Sequence, residues 1–267
     1  MSDEALSSAP SAVLPDDDVR LAEQLADEAG RLALRWFRGR VEVLTKADDS
    51  PVTVADREVE RMLRERIAAA RPGDGLLGEE HGRERLDAER VWVIDPIDGT
   101  KAFITGSPLW GNLLALLWRG RPVVGVVNLP ALGECWVGRA GQPSRWNGAP
   151  CRSSGCTRLA DARVYTTSPD AFDADGWRAF DALSRRAALR RFGGDCHSYG
   201  SLASGHVDLV VESGLQPYDF LALVPVIEGA GGVITDWQGR ALHMGSDGRV
   251  VAAATPELQA QALAALA

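Results

Sequence analysis

The chain has 267 residues, 45% hydrophobic and 25% charged, with a formal net charge of −8. Those are globular proportions, enough to bury one large core or two modest ones. The acidic balance excludes a nucleic-acid binder, which needs a basic face. It does not exclude small anionic substrates, because a bound divalent cation reverses the local field. No apolar run approaches the roughly 18–20 residues that span a bilayer; the longest, Leu113 to Trp118, is strand-sized. Residues 1–17 have neither the basic nor the apolar region of a secretion signal and read as a mobile tail. Cys135, Cys151, Cys156 and Cys196 form no CxxC and are too sparse for a disulfide scaffold, so a reducing cytoplasm is expected. Only two of the 29 basic residues are lysines, Lys46 and Lys101.

In chain order, apolar residues at 22, 25, 26, 29, 32, 33, 36 and 37 form a helical stripe from Asp18 to Arg38, which Gly39 ends. Thr53 then reads as an N-cap, with Asp56 three residues on in a capping-box-like start. Val59, Met62, Leu63, Ile67 and Ala70 mark the buried face of that second helix, and Pro72-Gly73 stop it. Val91-Trp92-Val93-Ile94 reads as a strand buried on both faces, ending abruptly at Asp95-Pro96. Strands follow at 110–118, 123–128 and 134–138, with turns at Gly120-Arg121 and Asn147-Gly148. Beyond about residue 150 strands and helices alternate: strands at 164–167, 208–211 and 233–236, helices at 176–189, 199–204, 219–230 and 256–267. The first half, 18–150, reads as α+β, and the second, 151–267, as α/β, the two completing one site.

Three acidic motifs carry the chemistry. The central one is Asp95-Pro96-Ile97-Asp98-Gly99-Thr100. Pro stiffens the link and Gly frees the backbone, so both carboxylates can point to one spot. Two close carboxylates repel, and one protonates unless a cation lies between them. An all-oxygen set suits a hard cation such as Mg²⁺, with the Ile97 carbonyl available as a further ligand. Gly99 and Thr100 offer N–H groups to an anion. The spacing does not match a calcium-binding EF-hand loop. Glu79-Glu80 after Gly78, and Asp219 before an apolar helix, are ordinary loop and cap residues when taken singly. His81 is a weak candidate beside Glu79, because Mg²⁺ seldom takes imidazole. His197 and His206 read as ordinary helix or surface residues.

Taken together, GEEHG, WVIDPIDGTKAF and YDFLALVPVIEGAGG resemble the three signatures of the inositol monophosphatase family of Mg²⁺-dependent phosphatases, from about Asp18 to the C-terminus. RFGGDCHSYGSLASGHVDLVVESGLQPYDF, GTKAFITGSPLWGNLLAL and PVVGVVNLPALGECWVG are most similar to its histidinol-phosphatase branch. Ala102 and Tyr218 stand where the inositol branch usually has Asn and Trp.

The resemblance implies a layered αβαβα sandwich, a homodimer and a cytoplasmic enzyme of histidine biosynthesis. It implies that Glu79, Asp95 and the Ile97 carbonyl hold one Mg²⁺, and Asp95, Asp98 and Asp219 a second. Glu79 would also support a more weakly held third ion, and Mn²⁺ is an alternative to Mg²⁺. Asp56, Glu79 and Thr100 would serve catalysis, Asp56 and Thr100 by orienting the attacking water. Gly99, Thr100 and Lys101, beside Asp98 and Asp219, would hold the phosphate end of the substrate. Arg191, Asp195 and Glu212 would face the rest of it. The expected substrate is a small phosphate monoester, histidinol phosphate first. Inositol 1-phosphate, 3′-phosphoadenosine 5′-phosphate and a non-catalytic metal-binding role are the alternatives. A haloacid-dehalogenase phosphatase is disfavoured, because its DxDGT motif is one residue shorter.

Overall fold

The computed structural model describes residues 16–39, 43–45 and 51–267. Lys46 and most of the N-terminal segment read as a tail lie outside the described residues. Among the described residues α1 spans Asp16–Leu34, opening on Asp16, Asp17 and Asp18, whose charges suit a helix N-terminus. After the β1 (Val43–Thr45) and β2 (Pro51–Thr53) pair, α2 runs Val54–Ala70 from the Thr53 cap.

Eight strands between residues 75 and 150 form one sheet. They are β3 (Gly75–Gly78), β4 (Gly82–Glu84), β5 (Arg90–Asp98), β6 (Gly111–Trp118), β7 (Arg121–Leu129), β8 (Glu134–Arg139), β9 (Arg145–Trp146) and β10 (Ala149–Pro150). All neighbours are antiparallel except β3 and β5. The short α3, Thr100–Ile104, follows β5 directly.

The second sheet has the order β12-β11-β13-β15-β14. Its strands are β11 (Arg163–Thr166), β12 (Leu189–Phe192), β13 (Leu209–Glu212), β14 (Val233–Asp236) and β15 (Val250–Ala253). Its helices are α4 (Ala174–Ser184), α5 (Asp195–Ala203), α6 (Pro217–Phe220), α7 (Leu223–Gly229) and α8 (Pro256–Leu266).

Strand alternation sorts the apolar side chains into three cores, and these define the layers. Trp92, Ile94, Leu114, Leu116, Val124 and Val126 face α1 and α2. Val91, Val93, Leu113, Ala115 and Val127 face the other way, onto α5, α6 and α7, which also cover Val210, Val250 and Ala252 of the second sheet. Val164, Leu209, Val211, Val251 and Ala253 then face α4 and α8. The result is the αβαβα sandwich expected.

Besides an α1 that ends at Leu34 and an α5 that begins at Asp195, three elements differ from the sequence reading. The helix expected over 176–189 ends at Ser184, and Leu189–Phe192 is the edge strand β12. Its run of arginines has no apolar period to betray it. The helix expected over 219–230 is two helices, α6 and α7. Pro225 has no N–H to return to the Leu221 carbonyl, and its ring crowds that carbonyl, so the chain breaks at Leu221-Ala222. The buried strand does not stop at Asp95 but runs to Asp98.

Far from these motifs, the side chain of Asp18 is fully buried, 2.9 Å from Arg71 Nη2 and 2.6 Å from Arg90 Nη2. Burial alone would push its pKa up, but hydrogen bonds from Arg90 and Arg71 outweigh it and hold the carboxyl below the ordinary range. Asp18→Ala removes this partner from both half-exposed guanidinium groups, while Arg90 keeps Asp74, and is expected to cost about 1.5–3 kcal/mol in a urea melt. The wild-type contribution is present above the unfolded pKa and is lost as pH falls through the lower folded value.

Candidate active site

Between Asp95 and Asp98, β5 advances three residues while β6 advances two, from Leu113 to Gly111, so the strand carries a bulge at Pro96-Ile97. In a regular strand, residues three apart point to opposite faces; one inserted residue restores the same face. Pro96 has no N–H to contribute to a ladder, which suits it to a bulge. Asn112 Nδ2 donates to the Pro96 carbonyl at 2.6 Å and holds the bulge. Asn128, opposite it on β7, donates to Asn112 Oδ1 at 3.1 Å and to the Ala26 carbonyl at 2.8 Å.

The bulge turns Asp95 and Asp98 to one place, and α6 brings Asp219 there. The three offer carboxylate oxygens within 4.8 Å of one another. Asp219 is aimed by the Gln216 N–H, which donates to its Oδ2 at 2.7 Å, and Asp98 by the Cys196 N–H, also at 2.7 Å. Asp95 is pushed well above the carboxylate range, first by burial and then by the charges of Glu79, Asp98 and Asp219. Asp98 is pushed up to about 7 by burial and by Asp219. Glu79 is the strongest like-charge neighbour of Asp95 and lies on the strand-turn formed by β3 and β4.

Asp56 adds a buried carboxylate from the first turn of α2. Its Oδ2 accepts from Thr53 N at 2.8 Å and from Thr53 Oγ1 at 2.6 Å. Its Oδ1 finds no hydrogen-bond partner among the described residues. Burial raises its pKa, and the Glu80 charge adds to this. Gly99 takes a left-handed φ of 79° and caps α3, whose first N–H groups have no intrahelical partner. Thr100 Oγ1 donates to the Ile97 carbonyl at 3.2 Å.

Converging carboxylates, with Asp95 buried and the pKa values of Asp95 and Asp98 raised, the orphaned Asp56 oxygen and an all-oxygen donor set fit a hard divalent cation. The model of the inositol monophosphatase family matches residues 15–267.

The chain belongs to the inositol monophosphatase family.

The chloroplastic bifunctional phosphatase IMPL2 of Arabidopsis thaliana is 43% identical over 251 residues, 91% of this chain and 72% of that protein. A histidinol-phosphatase of Chlorobaculum parvum is 39% identical, over 88% of this chain and 92% of its own. The solved structure of an inositol monophosphatase from Zymomonas mobilis matches with a TM-score of 0.87 at 46% identity, covering 94% of this chain and 98% of that one. The chain is thus an inositol monophosphatase-family phosphatase, a phosphoric monoester hydrolase.

The remaining residues singled out for this phosphatase fall into two groups. Asp195 enters α5 through Gly193-Gly194 with a φ of 44°, tolerable for Asp. It packs on Gly99, where a Cβ would stand 3.0 Å from the Asp195 Cγ. Burial and the Asp98 charge push it up to about 7, against the pull of Lys101. Glu212 is buried at the end of β13, accepting from Thr167 N and Oγ1, each at 2.8 Å, and from Thr166 Oγ1 at 3.1 Å. Burial pushes it up to about 8, and the Asp195 charge contributes.

Arg191 is exposed on the edge strand β12, with its guanidinium 5.6 Å from the Tyr165 ring centroid. His81 turns to α2, its Nε2 3.1 Å from the Arg57 carbonyl. Two tyrosines also border the acids. Tyr218 feels Glu79, Asp219 and Asp95, and the buried Tyr199 hydroxyl feels Glu212, Asp98 and Asp219.

Proposed function

We propose that this phosphatase hydrolyses histidinol phosphate by direct attack of water, with Mg²⁺ held by Glu79, Asp95, the Ile97 carbonyl, Asp98 and Asp219. Two Mg²⁺ ions, or Mn²⁺ in their place, would supply neutralisation of the phosphoryl charge, a water of lowered pKa and stabilisation of the leaving alkoxide. The chain's own groups do the rest. Asp56 accepts a hydrogen bond from the attacking water at Oδ1, while Thr53 occupies Oδ2 and fixes the carboxylate. Raised by burial, Asp56 is a stronger base than a solvated aspartate. Thr100 lies next to the bulge and orients the same water. The N–H groups of Gly99, Thr100 and Lys101 hold the phosphate, and Asp98 and Asp219 flank it.

The observation that supports histidinol phosphate is the Asp195–Glu212 pair. Half-buried Asp195, pushed up to about 7, and buried Glu212, pushed up to about 8 with a contribution from the Asp195 charge, are relieved by a cation placed beside them. The amine of histidinol phosphate is such a cation; an inositol ring brings only hydroxyls. Arg191 would meet the substrate only at the rim.

The direct test is phosphate release from histidinol phosphate, inositol 1-phosphate and 3′-phosphoadenosine 5′-phosphate, with and without Mg²⁺. Preference for inositol 1-phosphate would move the reading to that substrate, which the likeness to the Zymomonas mobilis inositol monophosphatase favours. With Asp195→Asn, kcat/KM for histidinol phosphate is expected to fall about tenfold or more, by loss of a charge-assisted contact. The loss for a neutral phosphate ester is expected to be several times smaller. Equal losses remove Asp195 from substrate choice. A homodimer and a cytoplasmic location belong to the same reading, and sedimentation checks the first.

A further inference from the structure

One face of α2 grips the turn that carries Glu79. Glu60, one helical turn after Asp56, is fully buried. Its Oε2 accepts from Glu80 N at 2.6 Å, and its Oε1 accepts from His81 N at 3.1 Å and Arg64 Nε at 2.7 Å. Arg64 also donates through Nη2 to the Gly82 carbonyl. Gly78 leaves the space for this carboxylate: a Cβ there would stand 1.9 Å from Glu60 Oε1. Glu79 lies between these fastened residues, and its own N–H donates to the Ile94 carbonyl at 3.3 Å, next to Asp95.

Three N–H donors converge on two oxygens, one of them cationic. A glutamine would turn its NH₂ against an N–H and lose the charge opposite Arg64.

We infer that Glu60 is the positioning residue of the Glu79 carboxylate: it pins the 78–82 turn to α2 so that Glu79 meets the divalent ion beside Asp95 in one geometry. The inference rests on Glu79 and Asp95 being ligands of that ion. Because Asp56 rides the same helix, α2 sets the water-orienting acid and the metal-binding turn together.

The test uses Glu60→Gln in the full chain, with calorimetric Mg²⁺ titration and amide hydrogen exchange. The variant is expected to melt cooperatively, with faster exchange at Glu80 and His81 in the metal-free protein. Its Mg²⁺ dissociation constant is expected to rise about 10–100-fold, the usual consequence of losing a group that orients a metal ligand. Its kcat at saturating Mg²⁺ should stay within a few-fold of wild type, a split that general destabilisation would not produce. An unchanged dissociation constant in the folded variant overturns the inference. Should the variant not fold, the wild-type protein decides. Reciprocal coupling requires Mg²⁺ to slow exchange at the Glu80 and His81 amides, and no slowing overturns the inference. Asp95→Asn separates the levels: if wild type and Asp95→Asn bind Mg²⁺ alike, the metal site itself is misassigned and both readings fall.

Discussion

Asp95→Asn is expected to lower kcat/KM by about a thousandfold, roughly 4 kcal/mol of transition-state stabilisation, while raising the melting temperature of the metal-free protein. Both effects have one cause. Asp95 is nearly inaccessible and sits among Glu79, Asp98, Asp219 and Asp56, so its charge is costly without a cation and needed with one. Asn keeps the oxygen that accepts from Ile97 N at 3.0 Å, so the bulge is preserved while the charge is lost. Each kcal/mol of relieved repulsion raises Tm by about 2–4 °C for a chain near this size. The gain should vanish below the unfolded-state pKa, where wild-type Asp95 is protonated in both states. Phosphate release and melting curves with and without Mg²⁺ check this. Near-normal turnover would refute the metal assignment, and a lowered metal-free Tm would refute the electrostatic account.

The metal-free protein is also expected to lose stability as pH rises from about 4 to about 8. Asp98 and Asp195 go from an ordinary value of 3.8 to about 7, and Glu212 from 4.5 to about 8. Between those limits the folded state keeps protons that the unfolded chain has released. Stability therefore declines with pH and levels off above the folded values. Asp18 works in the opposite direction but only at lower pH, so the optimum of the metal-free form should lie near its acidic end. Mg²⁺ binding to the ionised acids should release protons below about pH 7 and add RT ln(1 + [L]/Kd) of stability, most strongly at the alkaline end. Urea melts across this range, with and without millimolar Mg²⁺, measure both slopes. A metal-free stability that rises steadily from pH 5 to 8 would contradict the assignment of these groups.

These two predictions draw on different kinds of information. The acids themselves were legible because their motifs are local: a strand-sized apolar run, two aspartates three apart, then Gly-Thr. That both aspartates could reach one spot was expected from Pro96 and Gly99; the backbone device that brings them there was not. Their odd spacing points them apart in a regular strand, and only the pairing of β5 with β6 shows the inserted residue that turns them to one face. Glu60, Asn112 and Asn128 belong to none of the three acidic motifs, and nothing local marks them. Each acts through a residue at least sixteen positions away: Glu60 on the turn at Glu80, Asn112 on Pro96, and Asn128 on Ala26.

By itself the sequence determined the periodic elements, the capped start of α2, the acidic inventory and the family likeness. All of these rest on interactions within a few residues of chain. Tertiary structure alone decided the geometry in which the acids meet. It placed Asp195 against Gly99, kept Arg191 on an exposed edge strand, and ran that strand through arginines that show no period. The physical reason is that hydrophobic periodicity encodes which face of an element is buried. The meeting of like charges is unfavourable by itself and is imposed by the packing of distant elements.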